Sequence, residues 1–210
     1  VSENLDEGAN SNVATITQDS QAITLQPGGR YEFKNHNFGG LAGAEKMYGV
    51  DGVNRGFEFD GTHFVPINTG MTVDTPKHLT AYKKHLFFSF GASVQHSGIA
   101  EPHIWSPIFG AAEIAVGDPV TGFRVQPGSQ AGGALAIFSR NRINTLYGTS
   151  SLDWNLVEYR EEVGAFPYTI QEFGQTLMMD DRGINSLATV QAFGNFSHGV
   201  ASRLVQPFIN

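Results

Sequence analysis

Five cations recur at the tips of short apolar hairpins: Lys83 and Lys84, Arg140 and Arg142, and Arg182. In a further segment of the same form, Arg55 lies just past the turn. Clustered Lys and Arg side chains suit contact with a polyanion, because each phosphate they neutralise releases counterions. If the hairpins are equivalent units of a radial array, their tips share one face and form a loose basic ring, as a surface for assembly or for passing DNA requires. Solvated turns explain the same residues, and Asp51, Asp180 and Asp181 occupy those turns and dilute the field.

Paired carboxylates are the next chemistry to weigh. A glycosidase needs two acids several ångströms apart, one with its pKa raised by burial. Glu58, Glu113, Glu158 and Glu172 fall on strand-like segments and Asp60, Asp118, Asp180 and Asp181 in turns, and no spacing singles out a pair. They read as solvated strand faces and turn formers. The histidines His36, His63, His78, His85, His96, His103 and His198 form no HxH, HxxxH or HExxH pattern, so no metal centre is expected. No GxSxG elbow occurs, and "GDPVTGF" (117–123) reads as a turn rather than a phosphate loop. Trp105 and Trp154 read as plugs between neighbouring sheets rather than platforms for a sugar or a base. The sequence thus predicts no catalytic residue, no cofactor and no metal.

What must position the basic tips is a β-rich chain. The protein has 210 residues, enough for a sizeable core. Its 25 glycines and its 16% of charged residues favour turns and sheets over surface helices, against usual shares of about 7% and about 25%. A net charge of −7 argues against a general binder of nucleic acid or anionic membrane, though not against a local basic patch. With no cysteine there is no disulfide framework and no thiolate chemistry. No apolar run reaches the about 18 residues of a membrane span. The start, "VSENLDEGANSN", is acidic, unlike a signal peptide, and lacks an initiator Met, which reads as a processed or excised part of a longer chain.

The hairpins repeat. "KMYGVDGVNRGFEFDG" (46–61), "LTAYKKHLFFSFG" (79–91), "LAIFSRNRINTLYG" (135–148) and "TLMMDDRGINSLATV" (176–190) each read as strand, polar turn, strand. Taking Met47, Leu79, Leu135 and Leu177 as equivalents gives steps of 32, 56 and 42 residues, near the about 40–50 of propeller blades. The long step is assigned to an insertion, "GIAEPHIWSPIFGAAEIAVGD", carrying a loop and an extra strand. In the third unit, 134–138 reads as a buried strand and 142–147 as a half-buried one; Leu79, Leu86, Leu135, Ile137 and Leu177 are the expected core.

The expected fold is all-β, a β-propeller-like array of four-stranded antiparallel blades that this chain need not complete, with a β-sandwich as the alternative. Residues 1–40 form an N-terminal segment with one or two strands. Residues 41–210 hold the repeats, at 41–70, 74–110, 111–160 and 165–200, with 201–210 starting a further strand.

"LAIFSRNRINTLYGTSSLDW", followed by "EEVGAF", "TIQEFGQTLMMDDRGI" and "FGNFSHGVASRLVQPFIN", resembles the β-propeller portion of tailed-bacteriophage tail proteins of the nozzle or tail-hub class. "KHLFFSFGASVQHSG...HIWSP" is similar to the unit that precedes it there, and the likeness spans roughly residues 41–210. The resemblance implies a virion subunit in a head-to-tail ring around the genome conduit, with copies of itself and other tail or connector proteins as partners. It also implies transient contact with genomic DNA and no chemistry of its own. The alternatives are a carbohydrate-binding or glycoside-active propeller and a host interaction module; acids clustered at the propeller axis would favour the enzyme.

Overall fold

The computed structural model describes residues 2–7, 11–17, 23–126, 133–173, 175–190 and 195–200, with side chains for 23–126, 133–159, 161–173 and 175–187. Strands β1 (Ser2–Glu7) and β2 (Ser11–Thr17) pair as a hairpin of their own. Four four-stranded antiparallel sheets follow in chain order, each a simple meander. Blade 1 holds β3 (Glu32–His36), β4 (Lys46–Val50), β5 (Phe57–Phe59) and β6 (Phe64–Pro66). Blade 2 holds β7 (Leu79–Tyr82), β8 (His85–Phe90), β9 (Ser93–His96) and β10 (Ala112–Ala115). Blade 3 holds β11 (Val120–Gln126), β12 (Ala134–Ser139), β13 (Arg142–Tyr147) and β14 (Asn155–Glu161). Blade 4 holds β15 (Gln171–Glu172), β16 (Thr176–Asp180), β17 (Gly183–Val190) and β18 (Asn195–Val200). The one helical turn among the described residues is a 3-10 turn at Pro107–Phe109. None is long and apolar enough to cross a membrane.

The fold is therefore all-β and propeller-like, without closure of the sheets into a ring. First strands stand side by side, β7 packing against both β3 and β11. Between blades 1 and 2 lie Tyr48, Val50, Ile67, Leu86, Phe88 and Trp105; between blades 2 and 3, Phe87, Val94, Leu135, Ile137 and Leu146; between blades 3 and 4, Ala136, Phe138, Ile143, Met178 and Leu187. Alternate residues of one strand feed different clusters. Leu86 and Phe88 face blade 1 while Phe87 faces blade 3, so a central blade's strand must be apolar on both sides. For the same reason β13 is buried on both faces at Ile143, Asn144, Thr145 and Leu146, where the sequence suggested a half-buried strand.

The blade boundaries also differ from those expected. β3 belongs to blade 1, not to an N-terminal segment; its Lys34-Asn35-His36 stretch is too polar to read as a strand. β10, the extra strand of the insertion, closes blade 2. Leu79 lies on a first strand, whereas Met47, Leu135 and Leu177 lie on second strands. Counted between second strands, from Lys46, His85, Ala134 and Thr176, the steps are a more even 39, 49 and 42 residues. Leu79, Leu86, Leu135 and Ile137 are buried, but Leu177 is only half-buried, since β16 turns Met178 rather than Leu177 into the core. The strand expected at 201–210 lies outside the described residues.

Each blade has two ends. Connections from one blade to the next lie against turns between second and third strands: Val120 N–H donates to Gly91 O at 2.8 Å, Gly52 N–H to Pro76 O at 2.9 Å, and Ala165 N–H to Ser139 O at 2.9 Å. This end is the lower face. Turns between first and second and between third and fourth strands form the upper face, where Trp154, before β14, packs on Tyr82 and His85 of the β7–β8 hairpin.

Candidate functional site

The basic tips divide between the two faces. Arg140 and Arg142 flank the β12–β13 turn and Arg182 sits in the β16–β17 turn, both on the lower face. Together they line an open cleft of about 610 Å³ between blades 3 and 4. Lys83 and Lys84 form the β7–β8 turn, between a first and a second strand, and so belong to the upper face. The expectation that all the tips share one side is corrected here. It rested on treating β7–β8 as a second-to-third-strand hairpin like the others.

The lower cleft is a mixed-charge surface. Arg140 pairs with Asp181 at 2.8 Å and its guanidinium lies 3.8 Å from the centre of the Phe166 ring. Arg142 stands 3.4 Å from Glu158, and Arg182 3.7 Å from Glu162. These exposed pairs add at most about 1 kcal/mol each to stability. The connection entering the cleft is fixed by Gly164, where a Cβ would run into the backbone carbonyl oxygens of Ser139 and Arg140.

Turn chemistry explains the upper tip differently. Lys83 and Lys84 have φ of 48° and 61°, the left-handed region that a two-residue hairpin of this twist demands and that Asn-Gly normally fills. Beside this turn, the 97–111 loop of blade 2 and the 148–154 loop of blade 3 bring Ile99, Phe109, Ile108 (89% exposed) and Leu152 (95% exposed) around a groove of about 290 Å³.

Of the acids weighed as catalysts, Glu58, Asp60 and Glu172 are engaged by partners of their own, and Asp51 and Asp153 are engaged in the same way as Asp60. Glu58, buried, accepts from Lys46 Nζ at 2.6 Å and Tyr48 Oη at 2.8 Å and pairs with His103 at 3.0 Å. Burial alone would push its carboxyl up, but these partners hold it below the usual range, opposite to a general acid's need. Asp60 accepts the Thr62 and His63 N–H groups, and Asp153 those of Thr149 and Ser150. Asp51 likewise accepts from Val53 and Asn54. All three are turn formers. Glu113 is exposed on β10, and Glu172 is paired with Arg124. Among the described residues no group of three His, Cys, Asp or Glu converges as metal ligands would. Trp105 is stacked on Phe88, and Trp154 donates from Nε1 to His96 Nε2 at 2.9 Å; both fill inter-blade space.

Sequence reasoning missed the axis. Residues of the first strands and their approaches, including Arg30, Glu32, Lys34, Thr121, Arg124 and Tyr168, line a cleft of about 450 Å³ reached by all four blades. The only sequence signal for it is the polar, charged character of 30–35, which hides β3 as a strand.

The chain matches no known family model and no curated protein. Among solved structures, the crystal structure of BBS1N in complex with ARL6DN, soaked with lead, is similar with a TM-score of 0.37 and 13% identity. That likeness covers 79% of this chain, which spans 64% of the other. It is too distant to bear on function.

Proposed function

We propose that this protein is a structural subunit of a tailed-phage virion, a component of a tail nozzle, hub or head-tail connector ring around the DNA conduit, acting by contact rather than catalysis. The exposed apolar groove of the upper face carries this reading. Ile108 and Leu152 are almost wholly in water although each inter-blade space beside them is packed, and clustered exposed apolar side chains mark surfaces that meet a partner. The sequence resemblance points the same way, because its motif residues serve architecture. Gly164 of "EEVGAF" allows a backbone crossing, and Gly183 of "TIQEFGQTLMMDDRGI" takes a φ of 105° in the β16–β17 turn. The axial cleft offers little to a glycosidase, its one lining acid, Glu32, being engaged by His78 and by the Leu79 N–H.

In this role the partners are other copies in a ring and neighbouring tail or connector proteins, with transient contact to genomic DNA at the tips. The place of action is the virion tail, assembled in the bacterial cytoplasm. The test is particle assembly and DNA ejection with Ile108→Asp/Leu152→Asp and, separately, with Lys83, Lys84, Arg140 and Arg142 all changed to Ala. Both variants should melt within a few degrees of wild type, since exposed changes usually shift stability by about 0.5 kcal/mol or less. The first should fail to assemble. Normal assembly and ejection in both, or glycan hydrolysis by the purified wild-type chain, would overturn the reading.

A further inference from the structure

We propose that the axial cleft is a binding site for a small polyanion, an oligophosphate or a polycarboxylate, a function separate from assembly at the upper face. Three cations line it, Arg30, Lys34 and Arg124, against the single carboxylate of Glu32. That carboxylate is already used: one oxygen lies 2.9 Å from His78 Nδ1 and the other accepts from Leu79 N–H at 3.3 Å. Arg124 pairs with Glu172. Arg30 and Lys34 have no carboxylate within ion-pair distance among the described residues, in a chain whose net charge is −7. Cations without a carboxylate partner on the wall of a cleft gain from a bound anion.

Two further observations make the cleft more than a charged surface. Arg30 is held in place, its guanidinium 3.9 Å from the centre of the Tyr168 ring, which itself touches His78. A planar fork so stacked keeps its N–H donors in a fixed plane, suited to phosphate or carboxylate oxygens. Thr121, on the opposing β11 wall, is 6% exposed and its hydroxyl has no hydrogen-bond partner. A buried unpaired hydroxyl costs about 1–3 kcal/mol, a cost that a ligand or its bound water would relieve.

Spacing sets the ligand class. Arg30 and Lys34 are four residues apart on the same side of an extended stretch, so their Cα atoms are separated by about 13 Å. A chain of anionic groups can engage both cations at once without drawing the two side chains together, and so gains more than a single small anion does. The cleft volume of about 450 Å³ lies within the range of small-molecule sites, about 300–1,000 Å³.

The test is calorimetric titration of the 210-residue chain with tripolyphosphate, citrate and inorganic phosphate at low salt, repeated at high salt. Tripolyphosphate, citrate or both should bind, at least about tenfold tighter than inorganic phosphate and more weakly as salt rises. Binding of the first alone assigns an oligophosphate, and of the second alone a polycarboxylate. Arg30→Gln and Lys34→Gln should each weaken binding about tenfold or more, while Lys77→Gln, at an exposed cation outside the cleft lining, should not. Lys34 is exposed, so its variant stays folded and interpretable even if loss of the Arg30 stack does not. Wild-type affinity in Lys34→Gln, an equal loss in Lys77→Gln, or no binding of either polyanion would overturn the proposal. None of these outcomes touches the assembly reading.

Discussion

His96 makes stability fall with acid in a window that can be calculated. It is wholly buried on β9, its Nδ1 donating to Ser97 O at 2.9 Å and its Nε2 accepting the Trp154 indole N–H at 2.9 Å. His85 lies against it, with ring centres 4.7 Å apart and its own Nδ1 2.6 Å from the same Ser97 oxygen. Protonation would place a second hydrogen on Nε2, facing the indole N–H, in a site walled by Phe87 and Trp154. Burial accordingly pushes the ring's pKa down, from 6.5 to about 4. The folded state then binds fewer protons than the unfolded one between those values, so stability is full above the unfolded pKa of about 6.5 and lost as pH falls toward 4. Linkage gives a loss of about 2 kcal/mol between pH 7.5 and pH 5, or about 4–8 °C in Tm for a chain of this size. His96→Gln keeps an acceptor for the indole and removes the titration. Calorimetry of both proteins at pH 7.5 and pH 5 should show the wild type losing about 2 kcal/mol more than the variant. Equal losses would refute the argument, because they would mean that His96 titrates alike in both states or that the Trp154 bond does not hold it neutral.

Three other outcomes follow from the same geometry. Leu135→Ala, emptying a fully buried site between blades 2 and 3, should cost about 2–5 kcal/mol in a urea titration; a loss under about 0.5 kcal/mol would contradict the inter-blade packing. Gly164→Ala forces a methyl group against two backbone carbonyl oxygens and should cost about 1–3 kcal/mol by the same assay; an unchanged midpoint would mean that the blade 3–4 connection runs elsewhere. Lys83→Asn/Lys84→Gly should stabilise by about 1–2 kcal/mol, since Gly removes the Cβ penalty of left-handed backbone at 84 and Asn tolerates that backbone better than Lys at 83; any loss would show that Lys83 contacts outweigh the strain.

The strands were legible because inter-blade burial leaves a plain record, in runs such as "ALAIF" and "HLFFSF" with both faces apolar and short polar turns between them. Phase was harder to read. Strands β7 and β8 are joined by "YKKH", which has no Gly, Asn or Asp to announce a turn, so a repeat alignment anchored on Leu79 runs one strand out of step there. The uneven steps of 32 and 56 residues were the trace of that slip, since moving the reference from Leu79 to the following strand evens them. The convergence of Arg140, Arg142 and Arg182 followed from a correct alignment of blades 3 and 4. Their pairing with Asp181, Glu158 and Glu162 did not, because an ion pair, whether across blades or between β13 and β14 of one blade, depends on spatial arrangement rather than sequence distance.

The axis escaped notice for a related reason. A first strand borders the central cleft along one edge, so it can carry charge that faces the cleft. β3 is exposed at three of its five positions, and β15 at both of its two. Polar edge strands are what a hydrophobicity reading discards first. In a radial array they are also the only strands that all blades bring to one place, as β3, β7, β11 and the approach to β15 do here. The residues least like a strand in the sequence are therefore those best placed to meet a ligand, while the tips that looked most functional are split between two faces and, on the lower one, paired with acids of their own.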